Sequence, residues 1–377
     1  MHLPVELFFF IARYSHRRTL RSLCLVSRFW HEAAVRELYA CVDLVTGAGY
    51  QQEVIALGFV CTMLSNPILG SYVQSLDIHT WTIHSRFGRP GSDSLFAPVL
   101  RAMPNLRHIS VQTVSGTDSA CEKILFSLTR IESFHAKSCD TAHMNRILDG
   151  LPPLRRFVWG DASPDPRGEL PPALLRSRNV LEYLDIKSFD FLQSIRSSTL
   201  RFPRLQALLT TERLNFADLQ GLGFNSLACI CAHSFDSLWL LKQPSFLPQL
   251  RIMHAGVSID SDVFAVPSSS FEADASPRRV LQHLAINFPG FDSLVETPHD
   301  LSAAILIFEN AEVKSLAMQV GFSSDYDPVL RALTTHGTTM NLRMLSLKIP
   351  CAPPIYHTSK VSALAGVFLS PEVRNPY

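Results

Sequence analysis

Cys229, Cys231 and His233 alternate along "LACICAH" (227–233), and His254 stands on the next candidate strand. Thiolate and imidazole ligands in such a set are those that zinc selects. Alternation places the first three on one strand face, and the neighbouring strand would set His254 beside Cys231, ~4.8 Å away. Ligands two apart on an extended chain are stretched for one ion, so ordinary polar side chains are expected and no metal is assigned. His135, Cys139 and His143 have helical spacing, but residues 131–136 read as strand, which parts them. Gly221-x-Gly223 lacks the third glycine of a dinucleotide fingerprint, and "HEAAV" (31–35) lacks the second histidine of a zinc-protease helix. Neither G-x-S-x-G nor G-K-[S/T] occurs. The expectation is a chain without enzymatic activity and without a cofactor.

A second set of polar residues suits binding rather than bond chemistry. Where a strand buries alternate apolar residues, the residues between them face outward. His79, His108, His135, His233, His254 and His283 hold such positions, with Arg156, Tyr183, Asp185 and Lys187. They read either as a partner-binding surface or as solvated positions of no special role.

The elements that carry them repeat. "MPNLRHISV" (103–111), "LPPLRRFVW" (151–159), "FPRLQALLT" (202–210) and "LPQLRIMHA" (247–255) share Pro-x-Leu-x-x-apolar. With the proline relaxed, units start at 73, 106, 131, 154, 181, 205, 227, 250, 281, 313 and 342. Between strands lie stretches of helical spacing, such as Leu95, Phe96, Val99, Leu100 and Met103, or Leu301, Ala304, Ile305 and Phe308. One strand and one helix cannot bury both apolar faces alone, whereas stacked neighbours can. Two spacers carry polar inserts, residues 85–94 and 266–279.

A recurring L-x-x-L-x-L at roughly 20–29 residues resembles the leucine-rich repeat. The resemblance implies a curved parallel-sheet solenoid, strands inside and helices outside, that binds partners along its inner face. The family's Asn or Cys two residues beyond the last motif leucine is matched here only by Cys139. Unrelated βα units within one α/β domain are the alternative.

The first 44 residues follow another pattern. Pro4 and Glu6 suit the start of a helix that runs to about Ala12. A second helix carries Leu20, Leu23 and Cys24, with Thr19 as a candidate cap. A third starts at Ser27 and sets Trp30, Ala34 and Leu38 on one face. Some 40 residues make a poor independent domain, yet Leu3, Leu7, Phe8, Phe9, Ile11, Leu20, Leu23, Leu25, Val26 and Trp30 are more apolar groups than such a bundle can bury. Each is worth ~1.5–3 kcal/mol on burial, so several together form a docking surface.

Leu3-Pro4-x-Glu6-Leu7, Ile11, Leu23-x-Leu25-Val26-Ser27-Arg28-x-Trp30, Ala33-Ala34 and Leu38-Tyr39 resemble the F-box. The resemblance implies docking onto the Skp adaptor of a cullin-RING (SCF) ubiquitin ligase. Adaptor contacts would fall on Leu3, Pro4, Leu7, Ile11, Leu23, Val26 and Trp30. The repeat array would hold a target protein at His108, His135, Arg156, Tyr183, Asp185, His233, His254 and His283. Tyr14 stands where the family usually has leucine, and the segment between the first two helices is short and basic (His16, Arg17, Arg18). The alternative is a repeat-based interaction scaffold whose N-terminal helices only cap the array.

The expected organisation is an α/β chain: a three-helix F-box over 1–44, a helical linker over 45–72, about eleven repeat units over 73–349, and a cap or tail over 350–377. With 47% hydrophobic and 18% charged residues, 377 residues can build a sizeable core. A net charge of +1 gives no electrostatic case for nucleic acid, and no dense arginine cluster marks a phosphate pocket. "VIALGFVCTML" (54–64) falls short of the ~18 residues a membrane span needs. The N-terminus lacks a signal peptide's basic region and cleavage site. Without C-x-x-C pairs or N-x-S/T sequons, a reducing compartment, cytoplasmic or nuclear, is expected.

Overall fold

The computed structural model describes residues 4–45, 50–80, 96–114, 119–139, 141–161, 174–187, 201–214, 223–235, 247–256, 279–287, 311–319 and 343–348. The chain forms two compact units, Met1–Leu181 with Asp185–Asp190, and Glu182–Leu184 with Phe191–Tyr377. The expected helix over 301–308, the cap or tail over 350–377 and nearly all of both polar inserts lie outside the described residues.

The first unit opens with three helices, α1 (Val5–Arg13), α2 (Arg17–Leu23) and α3 (Arg28–Ala40). Pro4 precedes α1, and Glu6 meets the positive end of its dipole. Thr19 is not the cap of α2. His16 is extended and its Nδ1 accepts from the Arg18 N–H at 3.3 Å, while Thr19 already lies inside the helix and Cys24 ends it. Ser27 caps α3, its Oγ accepting from the Trp30 N–H at 3.4 Å. Ala12, Leu20, Ala33 and Ala34 are buried, enclosed by Phe8, Phe9, Leu23, Cys24 and Leu38. Three alanines in this core let the helix backbones approach closely.

The strand β1 (Cys41–Asp43) follows α3 directly and pairs parallel with β2 (Ser75–Thr80), Cys41 opposite Ser75 and Asp43 opposite Asp77. The Gln74 N–H donates to the Ala40 carbonyl at 2.9 Å. The sheet thus starts before residue 73, inside the segment that carries the helices. Between β1 and β2 lie α4 (Tyr50–Ser65) and α5 (Pro67–Gly70). Then come α6 (Phe96–Arg101), β3 (His108–Val114), α7 (Ser119–Ser127), β4 (Ser133–Cys139), α8 (Thr141–Gly150), β5 (Arg156–Asp161) and α9 (Leu174–Ser177). Strands β2 to β5 pair in parallel and in sequence order.

Alternation builds the core of this sheet. Leu76, Ile109, Phe134 and Phe157 stand opposite one another on successive strands, and Ile78, Val111, Ala136 and Trp159 form the next row. All eight are buried. Ser177 in α9 is a buried polar residue whose Oγ accepts from the Leu154 N–H at 2.9 Å. Gly160 is required by close approach: a Cβ there would collide with the Lys137 carbonyl on the adjacent strand.

The strand β6 (Tyr183–Ile186) has residues in both units. The second unit continues with β7 (Ala207–Leu214), β8 (Cys229–Phe235), β9 (Ile252–Gly256), β10 (Arg279–Leu281), β11 (His283–Asn287), β12 (Ala311–Val313), β13 (Ser315–Gln319) and β14 (Met344–Lys348). β7, β8, β9, β11, β13 and β14 form parallel neighbours in that order, while β10 and β12 pair separately. Leu208, Ile230, Met253, Leu284 and Leu316 are its buried row.

One backbone device recurs in each unit. The carbonyl just before a strand accepts two successive N–H groups from the start of the neighbouring strand. In the first unit, the Arg107 and His108 N–H groups donate to Gln74, and those of Glu132 and Ser133 donate to Arg107. In the second, those of Gln282 and His283 donate to Arg251, and those of Arg343 and Met344 donate to Lys314. This contact satisfies strand-edge groups that would otherwise be buried and unpaired.

Candidate functional site

The three-helix bundle cannot hide its apolar residues. Leu7, Ile11 and Tyr14 follow one another at helical spacing and are exposed, with Phe10 beside them. Leu25 and Val26, in the turn between α2 and α3, are 87% and 64% exposed. Phe29 in the first turn of α3 is exposed as well. Phe8 lies with its ring 6.2 Å from Phe29 and edge-on to Trp30 at 4.6 Å, and Phe10 meets Tyr14 at 4.9 Å. An apolar exterior of this kind marks an interaction surface.

The residues expected to touch an adaptor divide. Leu7, Ile11 and Val26 are exposed, and Pro4 sits exposed at the start of α1. Leu23 packs on the bundle core, and Trp30 is half-buried against Phe8. Leu3 lies outside the described residues. Phe10, Tyr14, Leu25 and Phe29, outside the expected set, are exposed as well, and the spacing 7, 10, 11, 14 carries a signal for the first two.

The open sheet faces hold the other candidates. In the first unit, Ser75, His108, Ser133 and Arg156 stand in one row across the strands, and Asp77, Ser110, His135 and Val158 in the next. The second row is a hydrogen-bonded chain. The Ser110 hydroxyl hydrogen-bonds the Asp77 carboxylate and lies 3.2 Å from His135 Nδ1, the imidazole tautomer setting which of those two donates. In the Nδ1–H tautomer the hydroxyl proton goes to the carboxylate and the serine has no base.

Burial sets the charge of this row. It pulls the His135 pKa below the ordinary histidine range against the opposing fields of Asp77 and Asp185, and Lys187 and Lys137 add to the lowering. It lowers His108 in the same way. Burial also raises the carboxyls of Asp77 and Asp185. Oδ1 of Asp77 is buried without a hydrogen-bond partner among the described residues.

In the second unit, Cys229, Ile252 and His283 share a row, and Cys231, His254 and Ala285 the next. Cys231 Sγ lies 3.3 Å from His254 Nδ1, as the register expectation requires. His283 Nδ1 meets the Ser315 hydroxyl at 3.0 Å. His233 is in β8, but its side chain lies outside the described residues, and Tyr183 is half-buried in β6. Among the described residues no group of three or more His, Cys, Asp or Glu side chains could hold a metal ion. Nor is any described helix long and apolar enough to cross a membrane.

Residues 1–45 match the family model of the F-box-like domain. A search of curated proteins finds no match to the chain.

Proposed function

We propose that this chain is the substrate-recognition subunit of an SCF-type cullin-RING ubiquitin ligase, acting in the cytoplasm or nucleus. F-box domains generally bind the Skp adaptor, and the adaptor links them to a cullin. The single observation that carries the reading is the position of Leu25 and Val26: large apolar side chains at the tip of the matched module, turned away from its core. The remaining units, read as an irregular leucine-rich-repeat-like array, would hold a target protein on their open faces. The chain itself makes and breaks no bonds. It raises the effective concentration of the target near an activated ubiquitin.

The test is co-purification of the full chain with a recombinant Skp adaptor. Leu25→Asp with Val26→Asp should abolish capture and leave thermal unfolding unchanged, because both side chains are solvated in the free chain. A folded wild-type chain that fails to capture the adaptor would sink the ligase reading, and undiminished capture by a folded double variant would show that the exposed tip is not the contact.

A second reading has one observation in its favour. Because β1 follows α3 without a break and pairs with β2, the helices also deliver the first strand of the sheet, as a scaffold's cap would. Deleting residues 1–44 therefore cannot separate the two readings, since it strips β1 and bares β2. The point variants above can.

A further inference from the structure

Stacking brings together charges that are far apart in the sequence. Arg251, Gln282, Lys314 and Arg343 each occupy the position just before an open-face residue on β9, β11, β13 and β14. Backbone bonds fix the alignment: the Gln282 N–H donates to the Arg251 carbonyl at 2.8 Å, and the Arg343 N–H to the Lys314 carbonyl at 2.9 Å. With strands ~4.8 Å apart, the row spans ~14 Å. It holds three cations and no acid.

The equivalent row of the first unit is composed differently. Gln74, Arg107, Glu132 and Arg155 include an acid, and Arg107 pairs with Glu132 at 3.4 Å, while the second unit's row carries its acid at Glu182, three strands before Arg251. Among the described residues, no ion pair is formed by Arg251, Lys314 or Arg343; Arg251 donates to the carbonyl of Pro248 at 3.3 Å. Glu312, two residues before Lys314, belongs to the separate β10–β12 ladder, opposite Val280. Lys314 and Arg343 stand on adjacent strands, where like charges repel, and with Arg251 two strands away the row favours an anionic partner. Beside it runs the row Ile252, His283, Ser315 and Met344, apolar at its two ends and polar between them. Ile252 and Met344 are exposed on the open face, and Val280 is exposed on β10.

We propose that this edge of the second unit binds an acidic, apolar-interleaved segment of the target protein, lying across the strands with carboxylates toward Arg251, Lys314 and Arg343. A span of ~14 Å fits four to five residues of extended chain at ~3.3 Å each. The proposal rests on the target-holding half of the function above and adds the chemistry of the target.

The probe is a fluorescein-labelled peptide of alternating glutamate and leucine, titrated into the full chain by anisotropy. Binding should weaken steeply with salt. Arg251→Gln, Lys314→Gln and Arg343→Gln together should weaken it about tenfold or more. Removing the same charge elsewhere, at exposed Arg18, Arg21 and Arg178, should leave it unchanged. Should the triple variant fold poorly, Arg343→Glu alone should lose the glutamate peptide and gain one with lysine in place of glutamate. Equal affinity of the folded triple variant and the wild type overturns the proposal. A single-stranded oligonucleotide that displaces the peptide at tenfold lower concentration overturns the partner class in favour of nucleic acid. Adaptor capture reads only the N-terminal helices, so failure here leaves that reading intact, and its failure leaves this measurement interpretable.

Discussion

His135 stands opposite Ser110 on the adjacent strand, with Nδ1 3.2 Å from the serine hydroxyl. Half-burial holds this imidazole neutral where a solvated one would begin to charge. Its folded pKa lies below the ordinary ~6.5, so on acidification the unfolded chain takes up the proton first. Its stabilising contribution is complete above ~6.5 and is lost as pH falls from there through the folded value. Asp77 and Asp185 act oppositely, because their folded pKa values are raised. Their cost is present at neutral pH and is relieved as pH falls through those raised values. Thermal unfolding between pH 7.5 and 5.5 should therefore show a falling midpoint in the wild type and a shallower fall in His135→Gln, which keeps a partner for Ser110. Parallel slopes would show that burial of this imidazole is not coupled to proton uptake. His108 and His254, lowered by the same cause, contribute to the remaining slope.

Ser177 supports the strand before it rather than any chemistry. Its Oγ is the acceptor for the buried Leu154 N–H. Ser177→Ala removes one oxygen and strands that donor, at a cost of ~1–3 kcal/mol. Urea unfolding should move to a lower midpoint with an unchanged slope. A midpoint within error of the wild type would mean that the amide finds another acceptor.

The buried strand positions were legible because burial demands alternation. Leu76, Ile109, Phe134 and Phe157 come from four separate motifs and stand in one row. The meeting of Cys231 with His254 was legible for the same reason, since alternation and strand order suffice to place both. The Asp77–Ser110–His135 chain was not, because neither Asp77 nor Ser110 belongs to a motif and only the register joins them. The cap of α2 was misplaced because Thr19 has the better capping chemistry but the chain turns helical two residues earlier, at Arg17, with His16 as its cap. The inward turn of Leu23 and Trp30 depends on helix rotation within a tiny bundle, where spacing alone leaves the inner and outer faces equally apolar.

Two glycines should respond to alanine with opposite signs. Gly160 lies in β5 against the Lys137 carbonyl, where a methyl group has no room. Gly160→Ala should cost ~1–3 kcal/mol by forcing the strands apart. Gly58 lies in α4 with nothing within 4 Å of a built Cβ. Gly58→Ala should gain ~0.5–1 kcal/mol, because glycine in a helix interior loses more backbone entropy than alanine. Differential scanning calorimetry of the two variants reads both shifts. A stabilised Gly160→Ala would show that the strands can separate freely at that point.

Leucines 20 and 25, five residues apart, should separate folding from docking. Leu20 is 4% exposed at the centre of the bundle, whereas Leu25 is 87% exposed at its tip. Leu20→Ala opens a cavity against Ala12, Ala33 and Ala34 and should cost ~2–5 kcal/mol of stability. A small bundle has little stability to lose, so adaptor binding should fall with it. Leu25→Ala changes a side chain that water already surrounds, and its effect on unfolding should stay within ~0.5 kcal/mol. Its effect on adaptor affinity should be large, because in the complex the same side chain would be desolvated. A loss of ~1.5–3 kcal/mol of burial corresponds to roughly tenfold or more in Kd. Thermal unfolding and adaptor titration on the same preparations check both outcomes. If Leu25→Ala binds the adaptor as the wild type does while Leu20→Ala alone fails, the exposed tip is not the contact, and the docking surface must be sought along Leu7, Ile11 and Tyr14.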